Sequence, residues 1–266
     1  MINISLEIWQ FEFVSHVLTL GYAAMAASLL FFILTKNNSL PKYRMSNVLS
    51  VVVMVSAAIL LFMQQQSWQD AFILNSARDG YESSQFLFTN GYRYLNWLID
   101  VPMLLIQILF VAGITGLAFK KYLLTFATSG SLMIITGYIG QFYEPGRDTE
   151  NILWWIIWGI ISTIFYVVVL IKITQVIKEG KNNMKNSKAL PLFGFILPLF
   201  YVAWTIYPVA YIVPVIAANN VDLLGLGLVL QQGLYTVADV SSKIVYGVLL
   251  TIVATILSKE QGFKEV

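Results

Sequence analysis

The chain has 266 residues, 58% of them hydrophobic and only 11% charged, with a formal net charge of +2. A soluble domain carries about a quarter charged residues, so most of this chain does not face water, and the small net charge excludes a nucleic-acid footprint. The absence of cysteine excludes disulfides, thiolate metal sites and thiol nucleophiles, and a single histidine, His16, excludes the usual His-rich metal cluster.

Taken from the N-terminus, the first ten residues, MINISLEIWQ, lack a basic region, and Glu7 and Glu12 stand where a cleavable leader would be basic or apolar, so no leader is expected. Crossing about 30 Å of hydrocarbon takes roughly 20 apolar residues. Seven such runs are predicted, at 13–35, 45–64, 91–119, 122–143, 152–177, 192–216 and 228–257. They make one domain over 1–266, an all-α bundle of seven transmembrane helices with no internal repeat. The connecting segments are KNNSLPKYR, QQSWQDAFILNSARDGYESS, KK, EPGRDTEN, KEGKNNMKNSKALP and AANNVD.

Charge sorts the ends of these spans into two sides. Lys36, Lys42, Arg44, Lys120, Lys121, Lys172, Lys178, Lys181, Lys185, Lys188, Lys259 and Lys264 fall on one. Only Arg78 and Arg147 fall on the other, among Asp70, Asp79, Glu82, Glu144, Asp148, Glu150 and Asp222. Basic flanks stay in the cytoplasm, so the N-terminus is expected outside and the C-terminus inside, in a multi-pass protein of the cell (inner) membrane.

Lys172 is near enough to its span end to snorkel into the interface. Deeper in the spans stand Arg93 and Asp100 on the third helix and Asp239 and Lys243 on the seventh. Unpaired charge in hydrocarbon is costly, so each is either a structural ion pair or a functional group. Arg93 is close to a helix end and can also snorkel, whereas Lys243 is in mid-span. A buried lysine persists as a neutral amine or as a Schiff base to a carbonyl compound. A protonated Schiff base needs a counterion: Asp239 is one turn away on the same face, and Asp100 is the natural second carboxylate. Two acids facing one cation have coupled titrations.

Four motifs carry a resemblance: Asp239-Val-Ser-Ser-Lys243 on the seventh helix, RYLNWLIDVPMLL from Arg93 on the third, WTIYP from Trp204 on the sixth and MIITGYIG from Met133 on the fourth. With these the chain resembles the microbial rhodopsins over essentially its whole length. The resemblance implies all-trans retinal bound covalently to Lys243 as a protonated Schiff base, with Ser242 beside it. It implies a polyene packed between Trp97, Trp204, Tyr207 and Tyr211, with Met133, Gly137 and Pro208 completing the pocket. A long conjugated hydrocarbon needs such flat walls and room at one end. Most other aromatics in these helices are packing or interface residues.

Within the family, the third-helix set Asn96, Asp100 and Gln107 is similar to the Asn-Asp-Gln signature of light-driven sodium pumps. Proton-pumping members carry a carboxylate at the position of Asn96. Spacings of four and seven place the three on one helix face, about 16 Å from end to end. The resemblance implies a light-driven ion transporter, not an enzyme. Photoisomerisation would move the Schiff-base proton to Asp100 and let Na⁺ pass near Asn96 and Asp239, which would bind it transiently. Gln107 would stand in place of an internal proton donor, and Arg93 would be an extracellular gate. Asn47 and Ser50 line a cytoplasmic route and Ser56 assists Asn96, unless these serve only as helix–helix hydrogen bonds.

Two places depart from the sodium-pump pattern. Phe86 and Gln231 stand where those pumps carry an acid and a base, which removes a family-type extracellular ion pair. His16 resembles a contact between protomers, and the resemblance implies a homo-oligomer, a pentamer. Gly159 either opens a window for a carotenoid antenna or serves helix packing. The competing functions are an outward H⁺ pump, also expected when Na⁺ is absent, and a photosensor. The short final segment, SKEQGFKEV, argues against the photosensor.

Overall fold

With no water in the bilayer core, a spanning segment must satisfy its backbone internally, and each apolar run does so as a helix. The computed structural model describes residues 4–145, 147, 149–218 and 223–264. It holds seven helices long and apolar enough to cross a membrane: α1 (Ile8–Thr35), α2 (Pro41–Ala71), α3 (Gly91–Val111), α4 (Gly116–Gln141), α5 (Ile152–Asn183), α6 (Leu190–Ala217) and α7 (Leu224–Glu260). The chain is a multi-pass membrane protein.

Local chemistry sets several helix ends. The Glu7 N–H donates to Gln10 Oε1 at 2.9 Å at the start of α1, half of a capping box. Pro41 opens α2, where its missing N–H costs nothing. Asn151 caps α5, its Oδ1 accepting from the Leu153 and Trp154 amides at 3.1 and 3.2 Å.

The expected boundary between the third and fourth helices, at Lys120 and Lys121, is incorrect. α3 already ends at Val111 and α4 starts at Gly116, so both lysines belong to α4. Gly113 and Gly116 make the turn, with φ of 67° and 62°, a region where glycine escapes the Cβ penalty. α5 runs past the expected residue 177 to Asn183. Its 32 residues span about 48 Å, so its last turns project beyond about 30 Å of hydrocarbon.

The segment read as a connection after residue 64 is structured, and a small sheet accompanies the all-α bundle. α2 continues to Ala71, followed by strands β2 (Phe72–Leu74) and β3 (Gly80–Ser83). The N-terminal strand β1 (Ser5–Glu7) pairs antiparallel with β3, Leu6 opposite Tyr81, giving the order β1-β3-β2. Phe11 anchors this sheet to the bundle: its ring stacks on Tyr81 at 3.8 Å, and its carbonyl accepts from the Trp68 indole at 3.2 Å.

Helices adjacent in sequence pack against one another, and α7 returns to α1, which closes the ring. Apolar side chains such as Leu20, Leu34 and Val202 cover the outer surface. Asn183 reaches from α5 to α3's C-terminal end, its Nδ2 donating to the Ala112 carbonyl at 3.0 Å. The helix order gathers Lys36, Lys42, Lys188 and Lys259 at one end of the bundle and Arg78 and Arg147 at the other. Asp148, Asp222 and most of the AANNVD connection lie outside the described residues.

α7 is not uniform. Leu224–Asp239 and Tyr246–Glu260 are α-helical, but Val240–Val245, the turn that contains Lys243, is π-helical. Such single wide turns inside α-helices mark functional positions more often than chance allows.

Candidate functional site

Arg93, Asn96 and Asp100 on α3 and Asp239 on α7 are 0% exposed, and Lys243 is 1% exposed. Lys243 Nζ donates to Asp239 Oδ1 at 2.5 Å and to Asn96 Oδ1 at 2.6 Å, and lies 3.5 Å from Asp100 Oδ2. Asp239 is therefore the nearer carboxylate and Asp100 the farther one. Asn96 links Lys243 to the farther one: its Nδ2 donates to Asp100 Oδ2 at 2.6 Å and to Ser56 Oγ at 3.1 Å. The second Asp100 oxygen, Oδ1, is buried without a hydrogen-bond partner among the described residues.

The snorkelling alternative for Arg93 fails, because its guanidinium points inward and is bonded on three sides. Nη1 donates to Asp239 Oδ2 at 2.6 Å, Nη2 to Thr236 Oγ1 at 2.9 Å and Nε to Gln232 Oε1 at 3.2 Å. Asp239 Oδ1 also accepts from Trp97 Nε1 and from the Tyr207 hydroxyl, both at 2.9 Å. Two cations thus converge on one carboxylate, which offsets the cost of burying them. Ser242 Oγ is 2.9 Å from the Tyr207 hydroxyl and steadies it.

An apolar cavity begins at this cluster. Trp97 and Tyr207 line it while their polar atoms hold Asp239 Oδ1, the same oxygen that meets Lys243 Nζ. Trp204 and Pro208 continue one wall, and Met133 and Gly137 stand on another. A Cβ at Gly137 would come within 3.2 Å of Tyr94 Cε1, so any larger residue there would press on that ring. Tyr211, stacked on Trp155 at 4.7 Å, bounds the far end together with Gly159. A buried primary amine that shares a carboxylate oxygen with two residues lining an aromatic, apolar cavity fits the chemistry of a long conjugated aldehyde such as retinal.

Toward the lysine-rich end, polar contacts link α2 to α3 and α7. Ser50 Oγ donates to Gln107 Oε1 at 2.9 Å, and Asn47 Oδ1 accepts from Thr251 Oγ1 at 2.7 Å. Asn47, Ser50 and Ser56 on α2 thus each bond across to a neighbouring helix, Asn47 to Thr251 of α7 and Ser50 and Ser56 to Gln107 and Asn96 of α3. His16 is exposed on α1, away from Lys243, with Glu12 one turn earlier also exposed.

Sequence reasoning missed Gln232, Thr236 and Thr251. The first two share a face with Asp239 and Lys243 at steps of three and four residues, a polar stripe on an otherwise apolar helix. Thr251 extends that stripe one further turn past Gly247.

A family model described as bacteriorhodopsin-like protein matches residues 12–257. Archaerhodopsin-3 of Halorubrum sodomense is 27% identical over 158 residues, 59% of this chain and 55% of that protein. The match thus spans about half the length of that relative. Opsin-1 of Neurospora crassa is 24% identical over 241 residues, 87% of this chain and 73% of its own. Among solved structures, xanthorhodopsin, described as a light-driven ion pump with dual chromophore, superposes with a TM-score of 0.84 at 31% identity, covering 98% of this chain and 99% of that one. Halorhodopsin, described as a light-driven chloride pump, matches with a TM-score of 0.69 over 94% of this chain and 97% of its own, but at 18% identity it shows the fold alone.

Proposed function

The chain belongs to the bacteriorhodopsin-like protein family, and on that premise we propose that it is a light-driven pump that exports Na⁺. The family implies a retinal chromophore, and we assign its attachment to Lys243. When bound through Lys243 Nζ, retinal supplies light absorption and an isomerisation that redirects the proton carried by that nitrogen. One observation carries the sodium reading: the residue bonded to both Lys243 Nζ and Asp100 is Asn96, not an acid.

In the resting arrangement the positive charge on Lys243 Nζ excludes a second cation. Two unit charges about 4 Å apart repel by roughly 4 kcal/mol at an effective dielectric of 20, which is roughly a thousandfold in occupancy. Asp100 Oδ2, 3.5 Å from Nζ, accepts the proton after isomerisation, and both partners become neutral. Asn96 Oδ1, released from its Lys243 donor, then offers a hard neutral oxygen that cannot take a proton. Asp239, held ionised by Arg93, balances the arriving charge. Return of the proton from Asp100 to Nζ restores the barrier behind the ion. With the lysine-rich end in the cytoplasm, Na⁺ arrives past Asn47, Ser50 and Gln107 and leaves on the Arg93 side. Without Na⁺, H⁺ is the transported ion only by a different route: the proton on Asp100 leaves on the Arg93 side, and Nζ takes a replacement proton from the lysine-rich side.

Cell suspensions expressing the protein test this reading. Illumination in NaCl is expected to make the medium more alkaline, and a protonophore to enlarge the change; KCl and CsCl should not support it. Acidification in NaCl that the protonophore abolishes contradicts Na⁺ export.

Two further assignments belong to this reading. Gly159, which lines the aromatic cavity beside Tyr211, either serves helix packing or opens a window against which a carotenoid antenna would rest. Added hydroxylated carotenoid is expected to transfer excitation to retinal in the unmutated protein but not in Gly159→Trp. Absence of transfer in both removes the assignment. The exposed Glu12 and His16 face a neighbouring copy in a homo-oligomer, a pentamer, since ionisable groups are costly against lipid.

A further inference from the structure

On the Arg93 side of the site lies a buried ring of three amides that the proton chemistry does not use. Asn90 Nδ2 donates to Gln231 Oε1 at 3.2 Å, and Gln232 Nε2 donates to Asn90 Oδ1 at 2.9 Å and to Gln231 Oε1 at 3.3 Å. Gln232 Oε1 faces the other way and accepts from Arg93 Nε. All three side chains are buried, yet Asn90 and Gln231 also line a second cavity of about 330 Å³. Phe86 and Leu228 form part of its wall, as does Glu144, which Arg147 holds at 2.8 Å. Burial pushes the Glu144 carboxyl above its ordinary value, and Arg147 opposes the shift. Polar contact is thus unbroken from Asp239 through Arg93 and Gln232 to Asn90, Gln231 and the cavity.

The chemistry of this ring suits brief contact with a cation. A carboxylate here would retain an ion leaving Asp239, and a lysine or arginine would repel it. An amide presents a hard oxygen with no net charge, so it ligates weakly and lets go. In the resting ring each carbonyl oxygen already accepts an N–H donor, so the amides must rotate to face an ion and re-pair after it has passed. The ring therefore admits a cation and closes behind it without any change of charge.

We propose that Asn90, Gln231 and Gln232 form a release-side transit site for Na⁺, ligating it through their side-chain oxygens between Asp239 and the cavity. This rests on the Na⁺-export reading. It gives Gln231, which stands where a charge was expected, a transport role of its own.

The test uses the full retinal-loaded protein. Gln231→Leu removes an oxygen that two donors share, and Na⁺ export is expected to fall about tenfold, the scale of one buried amide contact. Proton transfer from Lys243 to Asp100, followed by flash absorbance, should keep its unmutated rate. Gln231→Glu places a carboxylate in the ring, and export is then expected to fall about tenfold as external NaCl rises, while the unmutated protein changes little. If Gln231→Leu forms no pigment, the Gln231→Glu response decides alone. Unchanged export in Gln231→Leu, or a Gln231→Glu response to external Na⁺ identical to the unmutated protein, overturns the transit site and leaves Na⁺ export standing. Failure of the unmutated protein to export Na⁺ removes both.

Discussion

Lys243→Ala is expected to stay colourless with added retinal and to show no light-driven transport. Lys243 Nζ bonds the Asp239 oxygen that also accepts from the cavity-lining Trp97 and Tyr207, and among the described residues no other lysine is buried. The substitution also strips a donor from Asp239 and Asn96 and leaves Asp100 without its cation. Breaking a buried ion pair by removing one partner costs about 3–5 kcal/mol, although Arg93 still neutralises Asp239 and moderates the loss. Thermal unfolding of the retinal-free protein measures that penalty, and titration with retinal measures pigment formation. A visible absorption band in Lys243→Ala contradicts the attachment. Lys243→Arg separates the two effects, since it keeps a cation near the carboxylates but is expected to remain colourless.

Asp100→Asn is the second large effect, and it differs in kind. Pigment still forms, because Asp239 remains as counterion, fixed by Arg93, Trp97 and Tyr207. Transport is expected to fall by about a thousandfold, because the nitrogen of Lys243 keeps its proton and the roughly 4 kcal/mol repulsion toward Na⁺ persists through the light reaction. Flash absorbance is expected to lack the signal of a deprotonated chromophore nitrogen. Transport near the unmutated rate would place the proton acceptor at Asp239 instead. The geometry weighs against that, since Asp239 already accepts from Lys243, Arg93, Trp97 and Tyr207.

How much of this was legible in the sequence depends on the range of the interactions. Hydropathy alone located seven spans, because burial in hydrocarbon acts on every residue of a run. The four-residue step from Asp239 to Lys243 foretold their contact, and it survives the π-helical turn that begins between them. The α3–α4 turn was misplaced because two lysines look like a loop, whereas Gly113 and Gly116 set the backbone there. The three-stranded sheet escaped notice because strands of three or four residues carry too little alternation to read. Gln232, Thr236 and Thr251 went unnoticed for another reason. Each is an ordinary polar residue until packing sets α7 against α3 and α2, and only then do Arg93 and Asn47 become their partners. Asn96 was the opposite case, with its neighbours Asp100 and Ser56 foreseen and both bonds present.

The identity of the ion is the central claim, and direct sodium flux tests it. Purified protein with retinal, reconstituted into vesicles with the lysine-rich end outward, is illuminated in ²²Na⁺ with and without a protonophore. Light-driven accumulation of ²²Na⁺ inside the vesicles, maintained or increased by the protonophore, is the predicted result. Proton accumulation that the protonophore collapses, with no movement of ²²Na⁺, would contradict it.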